Sequence, residues 1–199
     1  MSMLPDALQI PYDKIVTASI DDSGSLSIEQ ITDILENEWH VTYCDTSNHS
    51  TCILSIPYQG CIFLYDQTSA NSCDVDDRLI AAYGWSVQNQ KKRDASRIRG
   101  FLGGRIEIAG KGTFDKGHAL SHAMGGGLDI NLFPQRPDLN RGRSEAGKLY
   151  RRMERYAADH PGTFVFSRLL YNDKSWVPFL LEYGVLMPDG KLWVELFEN

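Results

Sequence analysis

FDKGHALSHAMGGGLDINLFPQRPDLNRGRS, residues 114–144, sets a histidine directly after Asp115-Lys116-Gly117 and an asparagine between Leu139 and Arg141. A packed core needs neither, nor three consecutive glycines and several arginines in so short a span. Their chemistry points elsewhere. The neutral imidazole of His118 can take a proton from water near pH 7, and Gly117 beside it leaves room for a bulky substrate. The carboxamide oxygen of Asn140 is a hard, neutral ligand suited to magnesium, which keeps most of its waters and takes few protein ligands. A base, one cation and nearby arginines make a set suited to phosphodiester hydrolysis.

Four fragments then fall in one order: DKGH at 115–118, GGGLDINLFPQ at 125–135, LNRG at 139–142 and YRRME at 150–154. Together they resemble the DNA/RNA non-specific endonuclease family of the His-Me finger, or ββα-metal, nucleases. The resemblance covers roughly residues 100 to 199 and nothing in residues 1–90. It implies an α+β fold whose ββα-metal core is built on antiparallel strands. It also implies that His118 is the general base and that Asn140 binds a single catalytic Mg2+, for which Mn2+ can substitute.

The acidic residue that helps hold the metal's waters finds its best match in Glu154, making His118, Asn140 and Glu154 the expected catalytic set, with Asn140 and Glu154 at the metal. Two departures from the family pattern stand out. Lys116 replaces the arginine of the usual DRGH, keeping the charge but losing the planar fork. Thirteen residues separate Asn140 from Glu154, and a straight helix would hold the two about 21 Å apart, too far to share a metal. The chain must bend near Gly142 or Gly147, or else Glu145 takes the role.

Lys116, Arg141, Arg143, Arg151 and Arg152 are the candidates for backbone phosphate contacts, which give affinity without reading sequence. The expected function is a metal-dependent, largely sequence-non-specific endonuclease acting on DNA and/or RNA, with a toxin or effector as one biological setting. The alternatives are an RNA-restricted nuclease and a non-catalytic nucleic-acid-binding or interaction protein on the same fold. Partners would be the nucleic acid and a cognate inhibitor protein, with room for a homodimer and no membrane. Elsewhere in the stretch Asp115 is expected to orient its loop, His122 to pack or hydrogen-bond, and Asn131 and Gln135 either to line the site or to pin a loop. Gly125–Gly127 read as a turn, and His160 as a helix-end cap.

The 199 residues are 42% apolar, enough for a sizeable core in one domain or in a small domain fused to another. No N-terminal basic-plus-apolar signal and no run of about 18 apolar residues is present. The expectation is a protein kept in the cytoplasm where it is made, or delivered by a route that needs no Sec signal. The net charge of −6 hides an asymmetry: residues 1–90 hold 13 acidic and 2 basic side chains, residues 91–199 hold 13 and 18. This suggests an acidic N-terminal region of mixed α/β character and unknown role (1–90), followed by the nuclease core (91–199). The acidic region either lies against the arginines as a polyanion mimic or belongs to the same core.

Locally, Ser27 with Gln30 at the capping-box position starts a helix bearing Ile28, Ile31 and Leu35 on one face. CILSIPYQGCIFLYD reads as two strands about a turn at Pro57–Gly60, with Cys61 facing Ile56, and VDDRLIAAYGWSV as an amphipathic helix. The basic segment 91–105 and two short strands in 105–114 follow. A helix over 147–159 carries Leu149, Met153, Tyr156 and Ala157 on one face, stopped by Pro161-Gly162, and three strands complete the chain. Cys44, Cys52, Cys61 and Cys73 have no zinc-type spacing and are expected to be reduced thiols.

Overall fold

The computed structural model describes residues 4–71, 74–87 and 114–199. The basic segment 91–105, the strands expected before Phe114 and Cys73 lie outside the described residues. Six strands, β1 (Ile53–Tyr58), β2 (Cys61–Asp66), β3 (Arg78–Trp85), β6 (Phe164–Leu170), β7 (Leu180–Leu186) and β8 (Leu192–Glu198), form one antiparallel sheet in the order β1-β2-β3-β6-β7-β8. A second, two-stranded sheet pairs β4 (Asp115–His118) with β5 (Leu132–Gln135). Helices α1 (Tyr12–Ala18) and α2 (Ile28–Thr46) precede the strands, while α3 (Pro137–Asn140) and α4 (Glu145–Asp159) follow β5. The class is α+β.

The large sheet is the middle of three layers. On one face Ile31, Leu35 and Trp39 of α2 pack with Ile80, Ala81, Phe164 and Phe166. On the other, Met153 and Ala157 of α4 and Phe133 of β5 pack with Phe63, Ala82, Val165 and Leu181. The successive residues Phe164, Val165 and Phe166 alternate between the two cores, as the pleat of a strand requires. β3 pairs with β6 from Ala81 opposite Arg168 to Trp85 opposite Phe164. The step in charge at residue 90 therefore falls between strands of a single sheet.

Two local expectations are corrected. Residues 78–85 form a strand and not an amphipathic helix, because β3 is central and covered on both faces. Its continuous apolar run carries no alternation to separate it from a helix. A bulge adds to the ambiguity: Leu64 faces Ala81 and Tyr65 faces Leu79, leaving Ile80 unopposed. The β1–β2 turn is only Gln59-Gly60, both with positive φ (51° and 78°), which is the backbone of a two-residue hairpin loop. Cys61 thus faces Tyr58, not Ile56, and Pro57 sits within β1, at the sheet edge where a missing N–H is tolerated.

Other signals held. The Ser27 hydroxyl accepts from the Gln30 N–H at 3.4 Å, the three C-terminal strands form, and Cys44, Cys52 and Cys61 are free thiols. Burial raises the Cys61 thiol to about 11, so it stays protonated. Among the described residues no helix is long and apolar enough to cross a membrane.

Candidate functional site

The β4–β5 hairpin carries His118 at its end, opposite Leu132. The loop beyond it is fixed by one side chain. Asn131, fully buried, accepts from the Leu120 N–H through Oδ1 at 2.8 Å and donates through Nδ2 to the carbonyls of Leu120 (2.8 Å) and Gly127 (2.7 Å). Ser167 of β6 donates to the Ala119 carbonyl, and the Tyr150 hydroxyl donates to the His118 carbonyl at 3.3 Å. Strand, loop, sheet and α4 thus converge on the backbone around His118. Asn131 pins this loop and does not line the cleft described below.

Gly117 serves packing, not substrate access. A Cβ there would run into the side chain of Gln135, which is itself fully buried. Gly125–Gly127 likewise make room for protein: Gly125 ends a short 3-10 turn over His122–Met124 at φ 103°, while Gly126 and Gly127 lie against the Leu120 carbonyl and the Tyr58 ring.

The Asn140-to-Glu154 spacing is resolved by a helix–turn–helix junction. After α3 the Gly142 N–H returns to the Leu139 carbonyl (3.1 Å) and the Arg143 N–H to the Asp138 carbonyl (2.8 Å), with Gly142 at φ 66°. This is a Schellman stop. Ser144 then caps α4 by accepting from the Gly147 N–H at 3.0 Å. Gly147 lets α4 fold back onto α3, since a Cβ there would overlap the Asp138 carbonyl and sit 3.0 Å from Gly142 Cα and the Leu139 carbonyl. Arg151 closes the junction by donating to the Asn140 carbonyl at 3.3 Å. The chain bends at Gly142 and packs at Gly147.

His118, Asn140 and Glu154 consequently line one cleft of about 690 Å³, together with Asp115, Lys116, Ser121, His122, Arg141, Arg151 and Arg155. Glu145 is not among its walls; its exposed carboxylate pairs with Lys148 at 2.5 Å. Asp115 orders one side of the cleft. It accepts from Asn140 Nδ2 at 3.0 Å and from both Nε (2.7 Å) and Nη2 of Arg141. Burial alone would raise the Asp115 carboxyl, but the Arg141 and Asn140 hydrogen bonds and the charges of Arg141 and Arg143 outweigh it and hold the group below its usual value. With Nδ2 committed to Asp115, the side-chain Oδ1 of Asn140 is the atom available as a ligand.

The arginines divide. Arg141 is occupied by Asp115, and Arg143 contributes to that carboxylate's field without lining the cleft. Arg152 stacks over Trp193 at 5.7 Å, away from the cleft. Lys116 and Arg151 do line it, with Arg151 Nε 3.8 Å from Glu154 Oε2. Asp115, Ser121, His122 and Arg155 line the cleft without having been among the sequence-based catalytic, metal or phosphate candidates. Arg155 follows from helical spacing, because 151, 154, 155 and 158 share one face, and His122 from its position four residues after His118. The His118 and His122 rings are 6.4 Å apart at 52°. His160 does cap α4, its Nδ1 lying 2.8 Å from the Tyr156 carbonyl.

Tyr150 lies beneath the cleft, fully buried, its hydroxyl pushed well above the usual range first by burial and then by the Glu154 charge. The carboxylate of Glu154 is therefore felt by the group that holds the His118 carbonyl. Among the described residues no three His, Cys, Asp or Glu side chains are grouped to hold a metal. No family model matches this chain, and no curated protein matches it.

Proposed function

We propose that the chain is a metal-dependent, largely sequence-non-specific endonuclease that hydrolyses phosphodiester bonds of DNA and/or RNA on a ββα-metal core made of β4, β5 and α4. One observation carries the reading. His118, Asn140 and Glu154, drawn from a strand, a four-residue helix and a long helix, line the same cleft, and Lys116, Arg151 and Arg155 stand around them. The donor set also fits the implied ion: one amide oxygen freed by Asp115 and one largely buried carboxylate suit magnesium, which binds through one or two protein oxygens and keeps its waters.

In this reading Asn140 and Glu154 hold Mg2+ or Mn2+, which when bound neutralises phosphoryl charge in the transition state. His118 removes a proton from the attacking water. Lys116, Arg151 and Arg155 hold the flanking phosphates, contacts that are indifferent to sequence. Asp115 keeps the Asn140 amide from turning over, and Tyr150 with Asn131 keeps the His118 backbone in place. Attack on phosphorus with departure of the 3′ oxygen gives 5′-phosphate ends. Such an activity in the cytoplasm requires restraint by an inhibitor protein or delivery out of the producing cell.

The test is digestion of plasmid DNA and of structured RNA in parallel, with magnesium and with a chelator. The wild type should cut in a metal-dependent way, and His118→Ala should fold normally yet lose ~10² to 10⁴ in rate. A wild type inert on both substrates with metal present, or a fully active His118→Ala, would overturn the reading.

A further inference from the structure

On the face of the sheet away from the cleft, two arginines are buried where a core would hold apolar side chains: Arg78 of β3 is 4% exposed and Arg168 of β6 is 2% exposed. The bulge in β3 brings them to one side. It turns both Ile80 and Ala81 toward the helices, so Arg78 falls on the face that carries Arg168, Phe164 and Phe166. Both arginines line a cavity of about 80 Å³ between the end of α2 and the β6–β7 connection, with Ser47, Asn48, Asn172 and Asp173 also in its wall.

Each guanidinium is held by part of its donors only. Arg168 Nη1 donates to Glu182 (2.9 Å) and to the Leu8 carbonyl (2.8 Å). Arg78 donates through Nε to the Tyr43 hydroxyl (2.7 Å) and through Nη1 to the carbonyls of Asp173 (2.7 Å) and Ser175 (3.1 Å). Among the described residues nothing accepts from Arg168 Nε and Nη2 or from Arg78 Nη2. Arg78 also lacks a direct carboxylate partner among them. Asp66 reaches it only through Tyr43 (2.6 Å) and is otherwise engaged by the Cys52 N–H (2.8 Å) and His49 Nε2 (3.1 Å). A buried cation without a counter-charge is costly, and a buried donor without an acceptor adds to the cost.

We infer that this cavity binds a small tetrahedral oxyanion of the phosphate class, a site separate from the cleft and independent of the nuclease reading. Nε and Nη2 form one edge of a guanidinium, and the same edge grips a carboxylate twice elsewhere in this molecule, in Arg136 on Asp138 (both 3.0 Å) and in Arg141 on Asp115. In Arg168 that edge is open to two oxygens of an anion, and Arg78 Nη2 is open to a third, which a tetrahedral oxyanion has and a carboxylate does not. The guanidinium of Arg78 is fixed for the purpose, lying 4.3 Å from the Tyr171 ring centroid and 5.3 Å from that of Tyr43. The acidic groups around the cavity are already bonded: Glu182 to Tyr12 and Arg168, Asp66 as above, and Asp173 to the Ser175 N–H and hydroxyl. The volume selects the free anion, since pockets that seat a drug-sized ligand begin near ~300 Å³.

The experiment titrates inorganic phosphate into the full chain by calorimetry and thermal melting, against chloride at matched ionic strength. It uses wild type, Arg168→Lys, Asn48→Trp and the doubly substituted cleft variant Lys116→Ala/Arg151→Ala. Wild type and the cleft variant should each bind one phosphate with a Kd of about 1 mM or tighter, and at about ten times that Kd gain roughly 3 to 6 °C in Tm. Arg168→Lys keeps the charge beside Glu182 but loses the forked edge, and Asn48→Trp sets a ring at the exposed mouth without touching the buried network; each should weaken phosphate ~10-fold or more. A wild type that binds no phosphate has its donors met by water, which overturns the inference. So does binding that vanishes in the cleft variant yet persists in Arg168→Lys and Asn48→Trp. Where Arg168→Lys does not fold, an Asn48→Trp protein with wild-type affinity overturns it. None of these readouts involves cleavage, so the inference and the nuclease reading fail separately.

Discussion

Gly147→Ala is the perturbation that separates the geometry of the site from the stability of the fold. Its Cβ would overlap the Asp138 carbonyl and crowd Gly142 Cα and the Leu139 carbonyl, all backbone atoms that cannot rotate away. Overpacking of this kind costs ~1 to 3 kcal/mol, while alanine in place of glycine returns about 1 kcal/mol of helix propensity. The net loss is about 1 kcal/mol, or roughly 2 to 4 °C in Tm for a chain of this size. To relieve the overlap α4 must move off α3, carrying Glu154 away from Asn140, and a misplacement of ~1 Å can cost 10²-fold in rate. Gly162→Ala is the control. Its φ of 89° imposes about 1 to 2 kcal/mol of left-handed strain on alanine, but no atom lies within 4 Å of the added methyl. Melting curves should thus show similar losses in the two variants, whereas magnesium-dependent digestion should fall ~10²-fold in Gly147→Ala alone. A Gly147→Ala protein that cuts like wild type, or equal losses of activity in both, would refute the claim that this junction sets the site.

Asp115→Asn should raise the magnesium concentration needed for half-maximal digestion by ~10 to 100-fold, because it removes the group that orients Asn140. Since the folded carboxyl lies below its ordinary 3.8, its contribution to stability is present above that value and lost as pH falls through the lowered one; the variant should therefore show a shallower drop in Tm on acidification, and an identical drop would refute the pairing. Glu154→Gln should lose activity in a metal-dependent way while Glu145→Gln, altering only an exposed pair with Lys148, stays near wild type; the reverse pattern in a magnesium titration would move the role to Glu145. A protein lacking residues 1–90 loses β1–β3 and uncovers β6 with Phe164 and Phe166, so it should be insoluble, and a soluble, active truncation would contradict the shared sheet.

The parts legible in the sequence were those whose signals are local. Ser27 ahead of an apolar-periodic run gives α2, and short apolar runs set off by Pro161-Gly162 and the Pro188-Asp189-Gly190 turn give the last three strands, because caps and turns are properties of a few adjacent residues. β3 was misread since a strand buried on both faces has lost the alternation that defines it, and the fact that it is central lies in its neighbours β2 and β6. At the site, the motif fragments pointed to His118, Asn140 and Glu154, and the need for a bend near Gly142 or Gly147 followed from helix geometry. What the sequence could not show is which arginines are already spoken for. Arg141 and Arg152 look as available as Arg151 in one dimension, yet the first is held by Asp115 and the second lies on Trp193. Gly117 was misjudged for the same reason: the side chain that needs its space, Gln135, comes from the partner strand.

The charge asymmetry takes on a different meaning once the layers are known. Exposed Asp13, Glu29, Asp33 and Asp45 ride on α1 and α2, which cover one face of the sheet, while the cationic cleft belongs to the layer on the other face. With a helix ~10 Å across and a packing layer of ~10 Å on either side of the sheet, those carboxylates stand about 20 Å or more from the arginines of the cleft. The Debye length at physiological ionic strength is about 8 Å, so the two charge sets are screened from each other. These four carboxylates therefore do not act as an internal mimic that competes with phosphate for Arg151 and Arg155. Under the proposed function their effect is on approach: among the described residues, a polyanion is repelled from the helical layer and drawn to the layer that carries Lys116, Arg151 and Arg155.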